Sequence, residues 1–184
     1  MLEINLTVNE SKSFNNLLIK EKTPILKLNL RGKIDNKDFN SSIEKTLGII
    51  LPAEVGSIVL KGDLSVITTG PNEWLIISNN IENNDNQLEN ILFEAVPQNN
   101  LGAVTNITDQ FTIFSLVGSN ALEVLSKSSP FNFDMLSNNF SAQTLLNNID
   151  ITVIKKDDEN IDLLVRRSFS SHLWAWLNDS ARFL

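Results

Sequence analysis

The side chains able to do chemistry in this 184-residue chain are few, and that scarcity is the first constraint on what it does. There is no cysteine and a single histidine, His172. Thiolate nucleophiles, disulfides, iron–sulfur clusters and Cys/His zinc sites are excluded at once. His172 has an ordinary pKa suited to proton transfer, but its neighbours Ser170, Ser171, Leu173 and Trp174 supply no orienting group, so it reads as a surface residue of a helix. The acidic run Asp157-Asp158-Glu159 carries the oxygens that hard cations prefer. It lacks the spaced ligands and the glycine of a calcium loop and reads as a solvated hairpin tip. No GxGxxG, GxxxxGK[ST] or GxSxG occurs, which removes the usual dinucleotide, phosphate and nucleophile-elbow arrangements.

Two constellations remain. In Gly70-Pro71-Asn72-Glu73-Trp74-Leu75 a rigid turn delivers a carboxylate and an indole to the start of a strand. Gly70 and Pro71 read as turn residues, Trp74 as core, and Glu73 as a possible ligand group. The second runs from Asp162 through Arg166-Arg167-Ser168-Phe169 to Leu173-Trp174-Ala175-Trp176-Leu177. A strand ends in two arginines, and Ser168 is placed to cap the helix that follows. Trp174 and Trp176 lie about 200° apart on that helix and cannot share one buried face. Arginine and tryptophan together on a surface are what interfaces use as anchors, so Arg166, Arg167, Trp174 and Trp176 are the candidate partner surface.

These groups need elements to hold them. Leu26, Leu28 and Leu30 alternate with Lys27, Asn29 and Arg31, which predicts a strand over residues 24–31 with one wet face. Phe39, Ile43 and Leu47 before Gly48 predict a short amphipathic helix. Strands at 57–60 and 64–69 flank Lys61-Gly62-Asp63, and Trp74 to Ile77 is a buried strand. Leu88, Ile91, Leu92 and Ala95 mark a second helix ending before Pro97. Strands at 103–107 and 111–117 follow, with Thr108-Asp109-Gln110 as a turn between them. A helix from Asn120 buries Ala121, Leu122 and Leu125, strands at 149–154 and 161–165 bracket a polar loop, and a last helix starts near Ser168. Strand pairs alternating with short helices predict an α+β fold: two similar subdomains of antiparallel sheet packed with short helices, over residues 1–80 and 86–184 of one domain.

Composition agrees. Hydrophobic residues make up 42% of the chain, enough for a core, and a net charge of −7 with no basic cluster argues against nucleic acid and anionic membrane as partners. No apolar run approaches the roughly 18 residues that span a bilayer, and the N-terminal residues lack the pattern of a secretory signal, so a cytoplasmic location is the expectation. Asparagine is heavily used and is given no functional weight.

The two constellations are also where the chain resembles a known family, the gamma subunit of heterotetrameric sarcosine oxidase. Residues 70–75 resemble that family's GP(D/N)EWL turn, and residues 103–109 its AVTDVSD-like strand. Leu116-Val117-Gly118 with Ala121 resembles its LxG helix entry, and Gln143-Thr144-Leu145-Leu146 follows. Leu164-Val165-Arg166-Arg167-Ser168-Phe169 with Leu173-Trp174-Ala175-Trp176-Leu177 resembles its C-terminal LVRRSF…LWxWL signature. The family's Gly-Cys-Pro stands here as Ser128-Ser129-Pro130.

The resemblance implies a fold like the folate-binding domain of aminomethyltransferases. It also implies a noncatalytic assembly subunit of a complex that demethylates sarcosine oxidatively and passes the one-carbon unit to tetrahydrofolate. FMN, FAD or NAD and tetrahydrofolate would sit on partner subunits, larger alpha and beta flavoprotein chains beside a small delta chain. Two alternatives stay open. One is a free-standing folate-binding one-carbon transfer protein with Glu73, Asp109 and Arg166 lining a pocket. The other is a gamma-like subunit of a related N-methyl amino acid dehydrogenase.

Overall fold

In a computed structural model of the chain, the described residues are 6–22, 25–79, 85–96 and 102–184. In chain order the elements are β1 (Ser11–Phe14), β2 (Leu17–Glu21), β3 (Leu26–Gly32), α1 (Lys37–Leu47), β4 (Ile58–Lys61), β5 (Leu64–Gly70), β6 (Glu73–Ser78), α2 (Asp85–Ala95) and β7 (Gly102–Asn106). There follow β8 (Phe111–Val117), α3 (Ala121–Ser126), β9 (Phe140–Leu146), β10 (Ile149–Lys155), β11 (Asn160–Arg166) and α4 (Ser170–Ala181). The strands form two sheets, ordered β1-β2-β8-β11-β10-β9 and β4-β5-β6-β3-β7, and every pairing is antiparallel. The α+β architecture of two antiparallel sheets with short helices is the one the sequence predicts.

The division between the two units falls elsewhere. One unit is Ile25–Thr108 and the other joins Met1–Pro24 to Asp109–Leu184, in place of a break between 80 and 86. Strand pairing is the cause. β7 bonds to β3, with Leu28 opposite Asn106, and so keeps the middle of the chain with the first sheet. β2 bonds to β8, with Ile19 opposite Leu116, and so ties the N-terminal residues to the second. The residues Thr108–Gln110 form a 3₁₀ turn, but β7 and β8 belong to different sheets and are not a hairpin. Residues 80–84, Pro24 and Pro97, which bear on the predicted break, strand start and helix stop, lie outside the described residues.

In the unit of residues 25–108, α1 begins where Asn36 accepts from the Asp38 and Phe39 amides and ends at Gly48, whose φ of 63° is left-handed. The buried stripe is Phe39, Ile43 and Leu47, as the spacing predicts. It packs with Leu28, Leu30, Trp74, Ile76, Leu92 and Val104. Trp74 is fully buried, its ring centroid 5.9 Å from that of Phe39 and its Nε1 donating to the Pro52 carbonyl at 2.8 Å. The indole polar group is thereby satisfied inside the core. Gly32 faces Gly102 across the β3–β7 ladder; a Cβ on the first would come 2.3 Å from the Phe39 ring, and one on the second 2.0 Å from the Arg31 carbonyl. Only glycine fits that close approach.

Two predictions fail here. Lys27, assigned to the wet face of β3, is only 2% exposed and donates to the carbonyls of Ile25 and Thr108. Ile91, assigned to the buried face of α2, is exposed while Leu92 is buried.

In the other unit one face of the sheet, with Ile19, Phe114, Ile151, Val153, Leu163 and Val165, packs against Ala121, Val124 and Leu125 of α3 and Leu173, Trp174 and Leu177 of α4. β1, β2 and β9 were not predicted. Their turns carry no glycine: two-residue loops Asn15-Asn16 and Asn147-Asn148 close β1–β2 and β9–β10. Asn16, Asn147 and Asn148 have φ of 48°, 49° and 62°. The six described non-glycine residues with positive φ are all asparagine, the others being Asn9, Asn72 and Asn139. Asparagine tolerates the left-handed region that other side chains avoid. Replacing Asn148 by alanine is expected to cost about 1 kcal/mol in urea unfolding, while Asn148→Gly stays within about 0.5 kcal/mol of wild type.

Candidate functional site

The Gly70–Glu73 turn is a two-residue hairpin loop. Gly70 pairs with Glu73, Pro71 fixes φ at the first loop position, and the left-handed residue is Asn72, with φ of 61°. Asn72 locks the turn against the chain beyond β3: its carbonyl accepts from the Gly32 amide at 3.1 Å and its side chain from the Ile34 amide at 2.8 Å. Glu73 is thereby presented at the mouth of an open depression of about 610 Å³ with Arg31, Lys33 and Gly102. Its Oε1 accepts from Asn29 Nδ2 at 2.6 Å and from Arg31 Nε and Nη2 at 3.1 and 2.9 Å. The Asn29 hydrogen bond, followed by the Arg31 contacts, holds the carboxyl below the usual glutamate value. Glu73 thus has its charge partner in β3. Asp109 is exposed on the 3₁₀ turn, and among the described residues no hydrogen bond or ion pair joins it to Arg166.

The C-terminal constellation divides into surface and core. Arg166 ends β11 exposed, its guanidinium 5.9 Å from the Phe111 ring, and Arg167 is half-buried. Trp176 is half-buried against the core, and Phe169 is exposed beside it in sequence. Trp174 lies in the core and not on the surface: it is 7% exposed and stacked on Phe114 at 5.7 Å between ring centroids. Trp174 is buried and Trp176 half-buried against the same core, so the helical spacing separates them less completely than predicted and neither is fully exposed. Ser168 is corrected. It lies in a 3₁₀ turn, Arg167–Phe169, and α4 starts at Ser170 with no side-chain cap.

The remaining candidates take structural places. His172 is exposed, its Nε2 3.2 Å from Asn147 Nδ2. Asp157 folds back on the β10–β11 loop, accepting from Asn160 Nδ2 and the Glu159 amide, and those bonds hold its carboxyl below the usual range. Asp158 pairs with Lys155 at 2.9 Å. Among the described residues no group of three acidic, histidine or cysteine side chains is placed to hold a metal, and no helix is long and apolar enough to cross a membrane.

One cluster escaped the sequence reading. Asp162 is buried in β11, and its Oδ2 accepts from Lys22 Nζ at 2.7 Å and Lys156 Nζ at 2.8 Å. Burial pushes the Lys22 ammonium below the usual lysine value, and the neighbouring Lys156 charge adds to it against the pull of Asp162. Burial is the largest influence on Lys156 and acts downward, but the Asp162 charge and hydrogen bond, with smaller contributions from Lys22 and Asp157, together outweigh it and hold that ammonium above the usual value. The signal was a lone carboxylate inside the apolar run 161–165, which demands a cationic partner from elsewhere in the chain.

These placements separate by substitution. Trp174→Ala is expected to cost about 4 kcal/mol in denaturant unfolding, Asp162→Asn about 3 kcal/mol by leaving two ammonium groups without their counter-charge, and Arg166→Ala less than about 0.5 kcal/mol. Because the Glu73 pKa is lowered on folding, its contribution is complete above the unfolded value of about 4.3 and is lost as pH falls through the folded value. The stability difference between wild type and Glu73→Gln is therefore expected to be flat above about pH 4.3 and to shrink below it, read from urea midpoints across pH 2 to 6.

No curated protein sequence matches the chain. Among solved structures it is similar to a chain of the heterotetrameric sarcosine oxidase from Corynebacterium sp. U-96, in complex with pyrrole 2-carboxylate. The TM-score is 0.82 at 24% identity, over 95% of this chain and 88% of that one. A looser likeness, TM-score 0.50 at 11% identity over 91% of this chain and 98% of that one, is to the aspartokinase alpha and beta subunit structure. The profile of the sarcosine oxidase, gamma subunit family matches residues 31–182, spanning both the Gly70–Leu75 turn and the Arg166–Leu177 stretch, and the chain belongs to that family.

Proposed function

We propose that this chain is a noncatalytic assembly subunit of a sarcosine oxidase-type complex, one that demethylates sarcosine oxidatively and passes the one-carbon unit to tetrahydrofolate. The observation that carries this reading is the family match over residues 31–182. The geometry supports the noncatalytic part. Glu73 Oε1 already accepts three N–H groups from Asn29 and Arg31, so the carboxylate is not free to clamp a pterin with both oxygens. Glu73 therefore does not fit that ligand, and no chemical step is assigned to it. Flavin, nicotinamide and folate belong in this reading to the larger subunits.

The surface assigned to a partner is Arg166, Arg167 and Trp176, with exposed Phe169. Arg166 is the strongest element: it is exposed, pre-oriented over the Phe111 ring, and shaped for bidentate pairing with a carboxylate. Trp174 supports it from within by fixing α4 on the sheet. On co-expression with the large flavoprotein subunits of the same source, the chain is expected to co-elute in size-exclusion chromatography with flavin absorbance and sarcosine oxidation. Arg166→Ala and Trp176→Ala are expected to weaken that association by tenfold or more, about 1.4 kcal/mol each. Wild-type chain eluting alone and colourless overturns the reading.

A further inference from the structure

The sheet of residues 25–108 ends in β4, and the free edge of that strand is unlike the other sheet edges of the molecule. β7, the opposite edge of the same sheet, is polar at Thr105 and Asn106, and Asn106 Nδ2 is bonded to Glu89 of α2. β1 reads Ser-Lys-Ser-Phe, and β9 interleaves Ser141, Gln143 and Thr144 with Phe140, Ala142 and Leu145, of which Leu145 is 40% exposed. β4 reads Ile-Val-Leu-Lys, and its one charge is turned away: Lys61 Nζ donates to the carbonyls of Leu47 and Gly48 at the end of α1. Natural edges are usually guarded by charge, proline, a bulge or a covering segment. Among the described residues β4 is guarded by its brevity and by the irregular pairing of Gly56 and Ser57 with Thr68 at its start.

The ladder defines which backbone groups face outward. β4 and β5 are joined by the two-residue loop Gly62-Asp63, with Lys61 opposite Leu64, and the Thr68 amide donates to the Ser57 carbonyl at 3.1 Å. Bonded and non-bonded pairs alternate in an antiparallel ladder, so Val59 and Lys61 point their amides and carbonyls at β5, the Ser57 carbonyl does the same while its amide turns back to the Glu54 carbonyl, and Ile58 and Leu60 point theirs to the free edge. The side chains there are apolar and unburied. Leu60 is 57% exposed. Ile50, 74% exposed, follows the Gly48 carbonyl that Lys61 binds, and so emerges beside the C-terminal end of β4. Val55, 51% exposed, precedes Gly56, whose amide bonds Thr68 at the other end.

Charge selects the occupant. Glu54 lies at one end of the edge and Asp63 at the other, both exposed, and neither carboxylate has a hydrogen-bond or ion-pair partner among the described residues. A second copy pairing antiparallel across a two-fold axis would set Glu54 of each copy against Asp63 of the other, which is repulsive. A chain with basic residues flanking an apolar extended run is attracted at both ends. We infer that the free edge of β4 docks an extended segment of a partner subunit by strand addition, bonding through the Ile58 and Leu60 backbone, covering Leu60, Ile50 and Val55, and meeting Glu54 and Asp63 with basic side chains. This inference rests on the assembly-subunit reading and names a second contact, on the unit that does not carry Arg166.

The test uses the full chain co-expressed with the large flavoprotein subunits. In hydrogen–deuterium exchange, the segment containing the Ile58 and Leu60 amides is expected to exchange at least tenfold more slowly in the complex than in the free chain. Leu60→Glu is expected to weaken co-elution tenfold or more while the melting temperature of the free chain moves by no more than a few degrees. If Leu60→Glu folds poorly, the double variant Glu54→Gln, Asp63→Asn, confined to the exposed flanks, carries the test and is expected to weaken assembly and flatten its salt dependence. A wild-type complex that forms with unchanged exchange at β4, and with both variants assembling as wild type, overturns the β4 contact alone. A wild-type chain that forms no complex overturns the assembly reading and the β4 contact with it.

Discussion

In each unit the helix layer is held to its sheet by one tryptophan against one phenylalanine. Trp74 comes from strand β6 and meets Phe39 of helix α1; Trp174 comes from helix α4 and meets Phe114 of strand β8. The donor of the indole is exchanged between sheet and helix, but the contact is the same in kind. Each pair buries the largest rings of its core, and everything near the surface is placed relative to it. With Trp74 fixed by the Pro52 carbonyl, the preceding residue Glu73 has to emerge at the end of the ladder beside Arg31. With Trp174 fixed on Phe114, Arg166 and Trp176 are set on either side of the 3₁₀ turn that joins β11 to α4.

How much of this was legible in the sequence depends on the period of the signal. The stripe Phe39, Ile43, Leu47 and the apolar strands at 74–77, 111–117 and 161–165 declared themselves, because burial on one face of a helix or inside a sheet leaves an uninterrupted pattern. β1 and β9 did not, because they are edge strands with serine, lysine, glutamine and threonine, and an edge has little burial to write into its sequence. β2 is apolar but lies between the Asn15-Asn16 turn and a proline, with no glycine to mark its bounds. The unit boundary was misplaced for a related reason. Polarity marks where a chain is wet, whereas unit membership here is decided by which strand bonds to which, and β7 returning to β3 leaves no local trace.

The candidate site was legible as a set of residues and less so as a set of roles. Spacing established that Trp174 and Trp176 face different ways, but it could not say which way the core lies. That depends on the sheet beneath α4. In the same manner Lys27 sits at a position of β3 that alternation calls wet, yet its amine is satisfied by two carbonyls inside the fold. A long amphipathic side chain can bury its stem and keep its ammonium bonded, so a lysine in a strand is a weak marker of solvent. Asp162 is the converse, a short carboxylate in an apolar run whose burial requires the lysines that reach it.

The asparagines deserve a second reading in terms of the unfolded chain. Turns that need positive φ are usually supplied by glycine, which has the largest freedom to lose on folding. This chain has seven glycines and places asparagine at six of its left-handed positions. An asparagine that reaches the same φ with a Cβ attached explores less of the backbone map when unfolded, a difference worth a few tenths of a kcal/mol at each position. Summed over six positions, the denatured ensemble is narrowed by an amount comparable to one good helix cap, with no added contact in the folded state. What looks in composition like a drift toward a common polar residue is, at these positions, a restriction on disorder.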